Sequence, residues 1–438
     1  MSNPKGQEFM KDSLPKTEFF PQKKSEHFSL QIRDGLLLLF VNFLFLYFLG
    51  RYYPGGVLPW VFGLLFGFVL QRSRFCFAAS FRDIFLIGNT ILTRAVILGL
   101  AVTSTGFLLL EYFTPGQELL FTMAKVRPVG LFTVIGALLF GFGMVIAGGC
   151  VSGMLMRMGE GYLMQWVCML GFLVGSAFGA WQLGWWMERF VLKSPAVFLP
   201  HILGWSGAII LQLILLSTLF VLAFVYEKGW TSFYTMLKNP FAGKPPIKIL
   251  EWLNSLKGKN FYMLMFKIPW PYYAGSIILA FLNFTLFAVW GAPWSITGGI
   301  TYFAAWLSTL LGFSPEKWAF FQKVKLLEGN YVLFSQVQIE YFKFPLVYHF
   351  MAIIIGSLLA SLLAGEFRLR KWRSGRFIVS ALLGGFLMGY GSRLALGCNI
   401  GAFFSAIPSL SLHGWVFGFF TLAGSFLGGK VLLKYLIT

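Results

Sequence analysis

Acidic residues are scarce in this chain. Of 438 residues only 16 are Asp or Glu against 35 Lys and Arg, and charged residues of both signs make up 12%. Soluble globular domains carry about 25%. With 57% hydrophobic residues and a mean hydropathy of +0.74, a water-soluble domain of this length is excluded. Histidine is equally thin, and His27, His201, His349 and His413 are too scattered to pair around a haem. No G-x-x-x-x-G-K-[ST] segment is present, so the chain has no phosphate-cradling loop with which to use ATP. The four cysteines, Cys76, Cys150, Cys168 and Cys398, never form C-x-x-C, which removes thioredoxin-type and local metal-ligand patterns. Any partnership among them must be made by the fold.

What the chain has instead is apolar runs suited to crossing ~30 Å of hydrocarbon, such as Gly35 to Gly50 and Trp205 to Tyr226. The first follows a polar tail and has no small-residue cleavage site behind it, so it reads as a retained span and not a signal peptide. Basic residues gather in two loops. Lys228, Lys238, Lys244, Lys248, Lys257, Lys259 and Lys267 lie between Glu227 and Pro271, and "EFRLRKWRSGR" runs from Glu366 to Arg376. The positive-inside rule places both loops in the cytoplasm. Because the charge is confined to loops, with no basic helix, nucleic acid is not an expected partner; membrane lipid is.

One pattern is written twice. "GFGMVIAGGC" ends at Cys150 and "GYGSRLALGC" at Cys398; Trp166 and Trp415 follow, each trailed at the same distance by Gly-Ser, at Gly175 and Gly424. Each half also breaks earlier, at "QRSRFCFAASFRD" (71–83) and "GAPWSITGG" (291–299). Apolar runs broken at Gly, Pro or polar residues mark discontinuous helices whose loops reach into the membrane. The expected architecture is an all-α polytopic membrane protein of two pseudo-symmetric, inverted halves. Residues 1–34 form a tail, 35–56 an extra span, 57–226 the first repeat, 227–271 the basic linker and 272–438 the second repeat. The repeat has two readings: glycine spacing for close helix packing, or a duplicated site built around cysteine.

Ionisable residues beside the breaks are Arg72, Arg74, Arg82, Asp83, Arg157, Glu160 and Arg393. A charge at membrane depth costs about 2.5 to 3.5 kcal/mol on insertion scales, so it pairs or faces substrate. Arg82 is expected to pair with Asp83, and Arg157 with Glu160. The positive surplus that remains suits an anionic substrate. Thiols at loop tips are soft, weakly hydrogen-bonding groups, suited to brief contact with a sulfur-containing anion. Cys168, inside an unbroken apolar run, reads as a packing residue. A metal or iron–sulfur site built from Cys76, Cys150, Cys398 and His413 is the competing use of the same residues.

"RFCFAASFRD", "AGGCVSGMLMRMGEG" and "GSRLALGCNIGAFF" resemble the YeeE/YedE family of bacterial inner-membrane sulfur-compound transporters, over about Val57 to Lys434. The resemblance implies an hourglass-shaped helical fold and thiosulfate relayed along three cysteines, with no cofactor and no enzymatic step. It places Cys76, with Arg74 and Arg82 around it, in the first relay loop. Cys150, Arg157 and Glu160 fall in the second, and Cys398, with Arg393 and Asn399, in the fourth. A small TusA-like cytosolic sulfurtransferase is the implied receiving partner. Two alternatives stay open: a selenium compound or other sulfur oxyanion as cargo, or a membrane sulfurtransferase or redox enzyme with a persulfidated cysteine.

Overall fold

A computed structural model describes residues 23–113, 126–231, 260–321, 323–327, 330–334, 340–372 and 374–437. Most of the polar tail lies outside the described residues. So do Lys238, Lys244, Lys248, Lys257 and Lys259 of the linker, and most of the loop before Pro128.

The described residues are helical almost throughout. In order come α1 (Lys23–Tyr52), α2 (Val57–Ser73), α3 (Phe77–Leu86), α4 (Ile91–Phe113), α5 (Leu131–Ile146), α6 (Val151–Gly159), α7 (Leu163–Trp186) and α8 (Leu199–Lys228). Then follow α9 (Tyr272–Trp290), α10 (Thr297–Leu310), α11 (Pro345–Ala364), α12 (Gly375–Leu394) and α13 (Leu412–Leu432). One small antiparallel hairpin, Lys323–Leu327 with Asn330–Phe334, interrupts the stretch between α10 and α11. Among the described residues ten helical segments are long and apolar enough to cross a membrane. This is a multi-pass membrane protein. The outermost helices are α1 and α8, whose Leu37, Phe43, Leu213 and Ile214 are exposed where lipid replaces water.

The breaks fall where Gly and polar residues interrupted the apolar runs. Helix α2 stops at Arg74, which takes the left-handed conformation (φ 49°), and α3 restarts at Cys76. Helix α5 ends at Ala147, and α6 restarts with Cys150 as its first cap. Helix α12 ends at Ala395, and a π-helical turn, Asn399–Phe404, begins just after Cys398. The fourth break, between α9 and α10, buries Trp294 completely, stacked on Phe66 at 3.9 Å between ring centroids. Asn283 Oδ1 accepts from the Trp294 N–H and Ser405 Oγ donates to its carbonyl, so this broken backbone is satisfied inside protein, as apolar surroundings demand.

The doubled glycines have a packing use. Helices α5 and α12 cross so closely that a β-carbon on Gly136 would sit 2.5 Å from Ala395 N, and one on Gly384 would sit 2.8 Å from Ala147 N. Gly143 likewise faces Gly384, and Gly391 faces Gly136. The sequence offset from Gly136 to Gly384 is also that from Gly143 to Gly391, from Ala147 to Ala395 and from Cys150 to Cys398. Contact of early with late residues on both helices makes the pair antiparallel. Without a hydrophobic drive between helices in lipid, such small-residue contacts let backbones approach and dispersion act.

Further close packings join α7 to α12, α5 to α13, α2 to α11 and α4 to α9. The Cys150 hairpin opens at one end of the molecule, where Arg370 N donates to Gly161 O. The Cys398 segment opens at the other, where Leu199 N donates to Leu410 O and Leu412 N to Val197 O. The basic loop Glu366 to Arg376 and the described end of the linker share the first end, since Arg72 Nη2 donates to Ile268 O and Lys267 Nζ to Ala364 O.

Candidate functional site

The nine residues of α6 span only about 14 Å, half the hydrocarbon thickness, so Cys150 at its start lies deep. Cys76, at the start of the equally short α3, meets it there. Their Sγ atoms are 4.0 Å apart, both buried, and neither is in a disulfide. Cys150 Sγ is also 3.3 Å from Ser152 Oγ. The N–H groups of Ala79 and Cys150 lie beside the Cys76 sulfur, and that of Gly153 beside the Cys150 sulfur. Gly153 is what makes the meeting fit: a β-carbon there would stand 2.7 Å from Cys76 Sγ and 3.7 Å from Cys150 Sγ. Two helix starts converging on one point give it the partial positive charge of their first N–H groups, which favours an anion.

Cys398 is buried in the same hydrophobic core but is not part of this pair. Its neighbour Asn399 donates from Nδ2 to Met144 Sδ at 3.3 Å, and Met144 sits on the last turns of α5, ahead of Cys150. Among the described residues the Asn399 Oδ1 has no hydrogen-bond partner. Phe404 of the π-helical turn touches Phe77 (5.2 Å between centroids), which follows Cys76 directly. The core between the thiol pair and Cys398 therefore carries a thioether, an amide and aromatic rings. Cys168 lies in unbroken α7, fully buried; the backbone around it packs on Gly385.

The charged residues divide. Arg82 pairs with Asp83 at 2.8 Å, as the sequence led us to expect. Arg157 does not pair with Glu160: it donates to Gly148 O at 2.6 Å, tying down the loop that carries Cys150. Arg157 stays within electrostatic reach of Glu160, but its guanidinium is held by the Gly148 carbonyl and lies 5.9 Å from the centre of the Tyr162 ring. Glu160 accepts from Gln71 Nε2 at 3.4 Å. Burial raises the pKa of its carboxyl against the pull of Arg74, Arg157 and Arg370. Arg74 is exposed, 3.7 Å from Glu366, which also takes buried Arg72 at 3.4 Å. Glu366 and Gln71 thus organise this mouth, and neither carried a sequence signal. Arg393, 5% exposed, lies at the opposite end over the Phe320 ring at 5.1 Å. His413 Nε2 is engaged with Ala395 O at 3.0 Å. No cluster of three metal-ligating side chains occurs among the described residues.

The structure thus brings Cys76, Cys150, Arg157 and Glu160 to one half of the molecule, with Arg74 at its mouth. It places Cys398, Asn399 and Arg393 in the other half. Arg82 is neutralised beside the first group. Trp294 and Met144 were not singled out in the sequence, because an aromatic or Met in an apolar chain looks like any packing residue.

Comparison with known proteins follows the same residues. A family model described as sulphur transport matches residues 72–427, which take in all four broken segments. The thiosulfate transporter TsuA of Spirochaeta thermophila is 29% identical over 382 residues, 85% of this chain and 97% of its own length. The Escherichia coli protein of the same name is 26% identical over 359 residues, 81% of this chain and 88% of its own. The probable transporter YedE of Escherichia coli is 33% identical over 171 residues, 39% of this chain and 41% of its own. A match running from Arg72 through the last cysteine loop leaves no broken helix outside it: the chain belongs to the sulphur transport family.

Proposed function

We propose that the protein carries thiosulfate across the bacterial inner membrane into the cell, handing it between the thiols of Cys76, Cys150 and Cys398. The observation that carries this reading is the buried 4.0 Å approach of Cys76 Sγ to Cys150 Sγ at two converging helix starts. Near-full-length likeness to two proteins named as thiosulfate transporters supports the choice of cargo, while YedE is similar over less than half of either chain. A thiosulfate dianion has one soft sulfur end and one hard oxygen end, with its charge shared between them. Thiol and thioether contacts suit the first, and helix N–H groups and arginines the second. Each contact is weak, so the ion can leave it.

Packing supports two inverted halves. Exchanging equivalent helices converts the α7–α12 contact into α13–α5 and the α2–α11 contact into α9–α4, and leaves α5–α12 unchanged. The basic end faces the cytoplasm in this reading. Exposed Arg74 and Arg370 there offer charge to a small TusA-like sulfurtransferase that would receive the cargo. No covalent step on the thiols is part of the proposal.

Uptake by proteoliposomes of the purified protein tests it, with labelled thiosulfate, sulfate, sulfite and selenite compared. Thiosulfate should accumulate at least tenfold faster than sulfate. Equal rates, or none, would end the reading. A persistent 32 Da adduct on the protein after thiosulfate exposure, in place of uptake, would assign a sulfurtransferase.

A further inference from the structure

Two of the four thiols form a pair and two do not. Cys76 and Cys150 are 4% and 1% exposed, with their sulfurs 4.0 Å apart. Cys168 is enclosed in α7, and Cys398 stands in the other half, where the break between α9 and α10 carries Trp294 and no cysteine. Neither member of the pair lies inside a helix: each is the cap before one, with extended backbone (φ −137° at Cys76 and −78° at Cys150), so neither side chain is bound by the rotamer limits of a helix interior. Cys76 approaches α6 with more than its sulfur. The point where a β-carbon would stand on Gly153, three residues after Cys150, is 3.7 Å from Cys76 Cβ as well as 2.7 Å from its Sγ. Closing the sulfurs from 4.0 Å to the about 2.05 Å of a disulfide takes side-chain rotation and a small movement of two cap residues.

We propose that Cys76 and Cys150 are a dithiol site for polythionate dianions such as tetrathionate, which oxidise it to a disulfide that closes the path until a small thiol reduces it. The way in rests on the transport reading: both sulfurs are shut off from bulk water, so what reaches them is what the path admits. A polythionate has the double charge, the oxygen-bearing ends and the soft divalent sulfur that suit thiosulfate to the same contacts. One thiolate, the nucleophilic form of cysteine, attacks a divalent sulfur of tetrathionate. A Cys–S–S–SO₃⁻ adduct forms, the central S–S bond of tetrathionate breaks, and thiosulfate leaves with its electron pair. The second thiolate then attacks the cysteine sulfur of the adduct; the Cys76–Cys150 bond forms and a second thiosulfate leaves. Two thiols thus give up two electrons and two protons, the protons pass to water, and one tetrathionate becomes two thiosulfates. Two molecules of a small thiol reverse the oxidation by exchange, ending as their own disulfide. Ser152 Oγ, 3.3 Å from Cys150 Sγ, and the first N–H groups of α3 and α6 are placed to hold negative charge at the sulfurs while this happens. Once joined, the sulfurs have no S–H to donate and the starts of α3 and α6 are tied together, so the contacts that transport needs are lost. Cys398, outside the pair, stops at the adduct.

The test uses the full chain in phosphatidylcholine vesicles, exposed to tetrathionate and then divided between an uptake assay and peptide mapping by mass spectrometry after denaturation and alkylation. A linked Cys76–Cys150 peptide should appear while Cys168 stays alkylatable. Thiosulfate uptake should fall in proportion to the fraction linked, and dithiothreitol should both remove the link and restore uptake to within twofold. Cys150→Ser should give no linked peptide and leave Cys76 as the adduct. Excess thiosulfate, which occupies the same route, should slow linking of the parent at least fivefold. Separately modified or unmodified Cys76 and Cys150 in a protein that carries thiosulfate would overturn the dithiol while leaving transport intact. Linking that leaves uptake undiminished, or that excess thiosulfate does not slow, would overturn it as a gate on the path. Linking in a protein that carries no thiosulfate would uphold the dithiol site and sink the transport reading.

Discussion

Cys76 Sγ and Cys150 Sγ lie 4.0 Å apart although 74 positions separate them in the chain. Each heads a helix too short to cross the membrane, and each faces the bare α-carbon of Gly153. Hydroxyls at the same points would be nearly the same size but harder and more strongly hydrated. Cys76→Ser and Cys150→Ser are each expected to lower thiosulfate uptake at least tenfold with normal amounts of protein in the membrane, and Cys168→Ser to leave it within twofold. Parent-like uptake by both of the first two variants would remove the thiols from the path.

Gly153 makes a sharper test of shape. A methyl group there would stand 2.7 Å from Cys76 Sγ, so one of the two must shift. Gly153→Ala is expected to cost about 1 to 3 kcal/mol of stability, the usual penalty of overpacking, and to lower uptake more than tenfold. A thermal unfolding curve and an uptake assay on the same preparation check both effects; a fully active variant would mean that the thiols need not sit as close as they do.

The twin glycines of the repeat should be equally intolerant. A β-carbon on Gly141 would sit 2.2 Å from Thr421 O on α13, and one on Gly389 would sit 2.3 Å from Phe172 O on α7. Gly141→Val and Gly389→Val are expected to lose at least 2 kcal/mol each, since backbone, and not a flexible side chain, stands in the way. The check is yield and melting temperature in detergent against Gly375→Val, where nothing lies within 4 Å.

Glu366 holds Arg72 and Arg74 together at the basic mouth. Removing one partner of a buried pair leaves an uncompensated charge worth 3 to 5 kcal/mol when fully buried. Glu366 is 35% exposed, so water relieves part of it. Glu366→Gln is expected to destabilise the protein by about 1 to 2 kcal/mol, read from denaturant or thermal unfolding. No change in stability would indicate that Arg72 finds enough compensation in Ile268 O and Gln71 Oε1.

Orientation is open to direct test. With native cysteines replaced, a cysteine at Ser374 should resist impermeant reagent in intact cells, whereas one at Lys317, at the Phe320 end, should label. The reverse pattern would turn the molecule over.

The amino-acid sequence alone determined that this is a membrane protein of many spans, where those spans break, and that two stretches ending in Cys150 and Cys398 match. These are local properties: each residue's transfer from water to lipid is fixed by its own chemistry, and a break needs only Gly, Pro or a polar group where the apolar run stops. The Arg82–Asp83 pair was legible for the same reason, the two being adjacent in sequence. Tertiary structure decided what meets what. Which thiols touch follows from how α2 and α3 pack on α6, and that depends on Gly153 leaving room for both sulfurs. Arg157 turns to Gly148 O because the fold brings that carbonyl within its reach. Trp294 looked like one aromatic among many until the fold laid it flat on Phe66. Hydropathy has no term for such meetings, because in lipid the helices gain nothing from merely being apolar, and only the close fit of particular surfaces tells one neighbour from another.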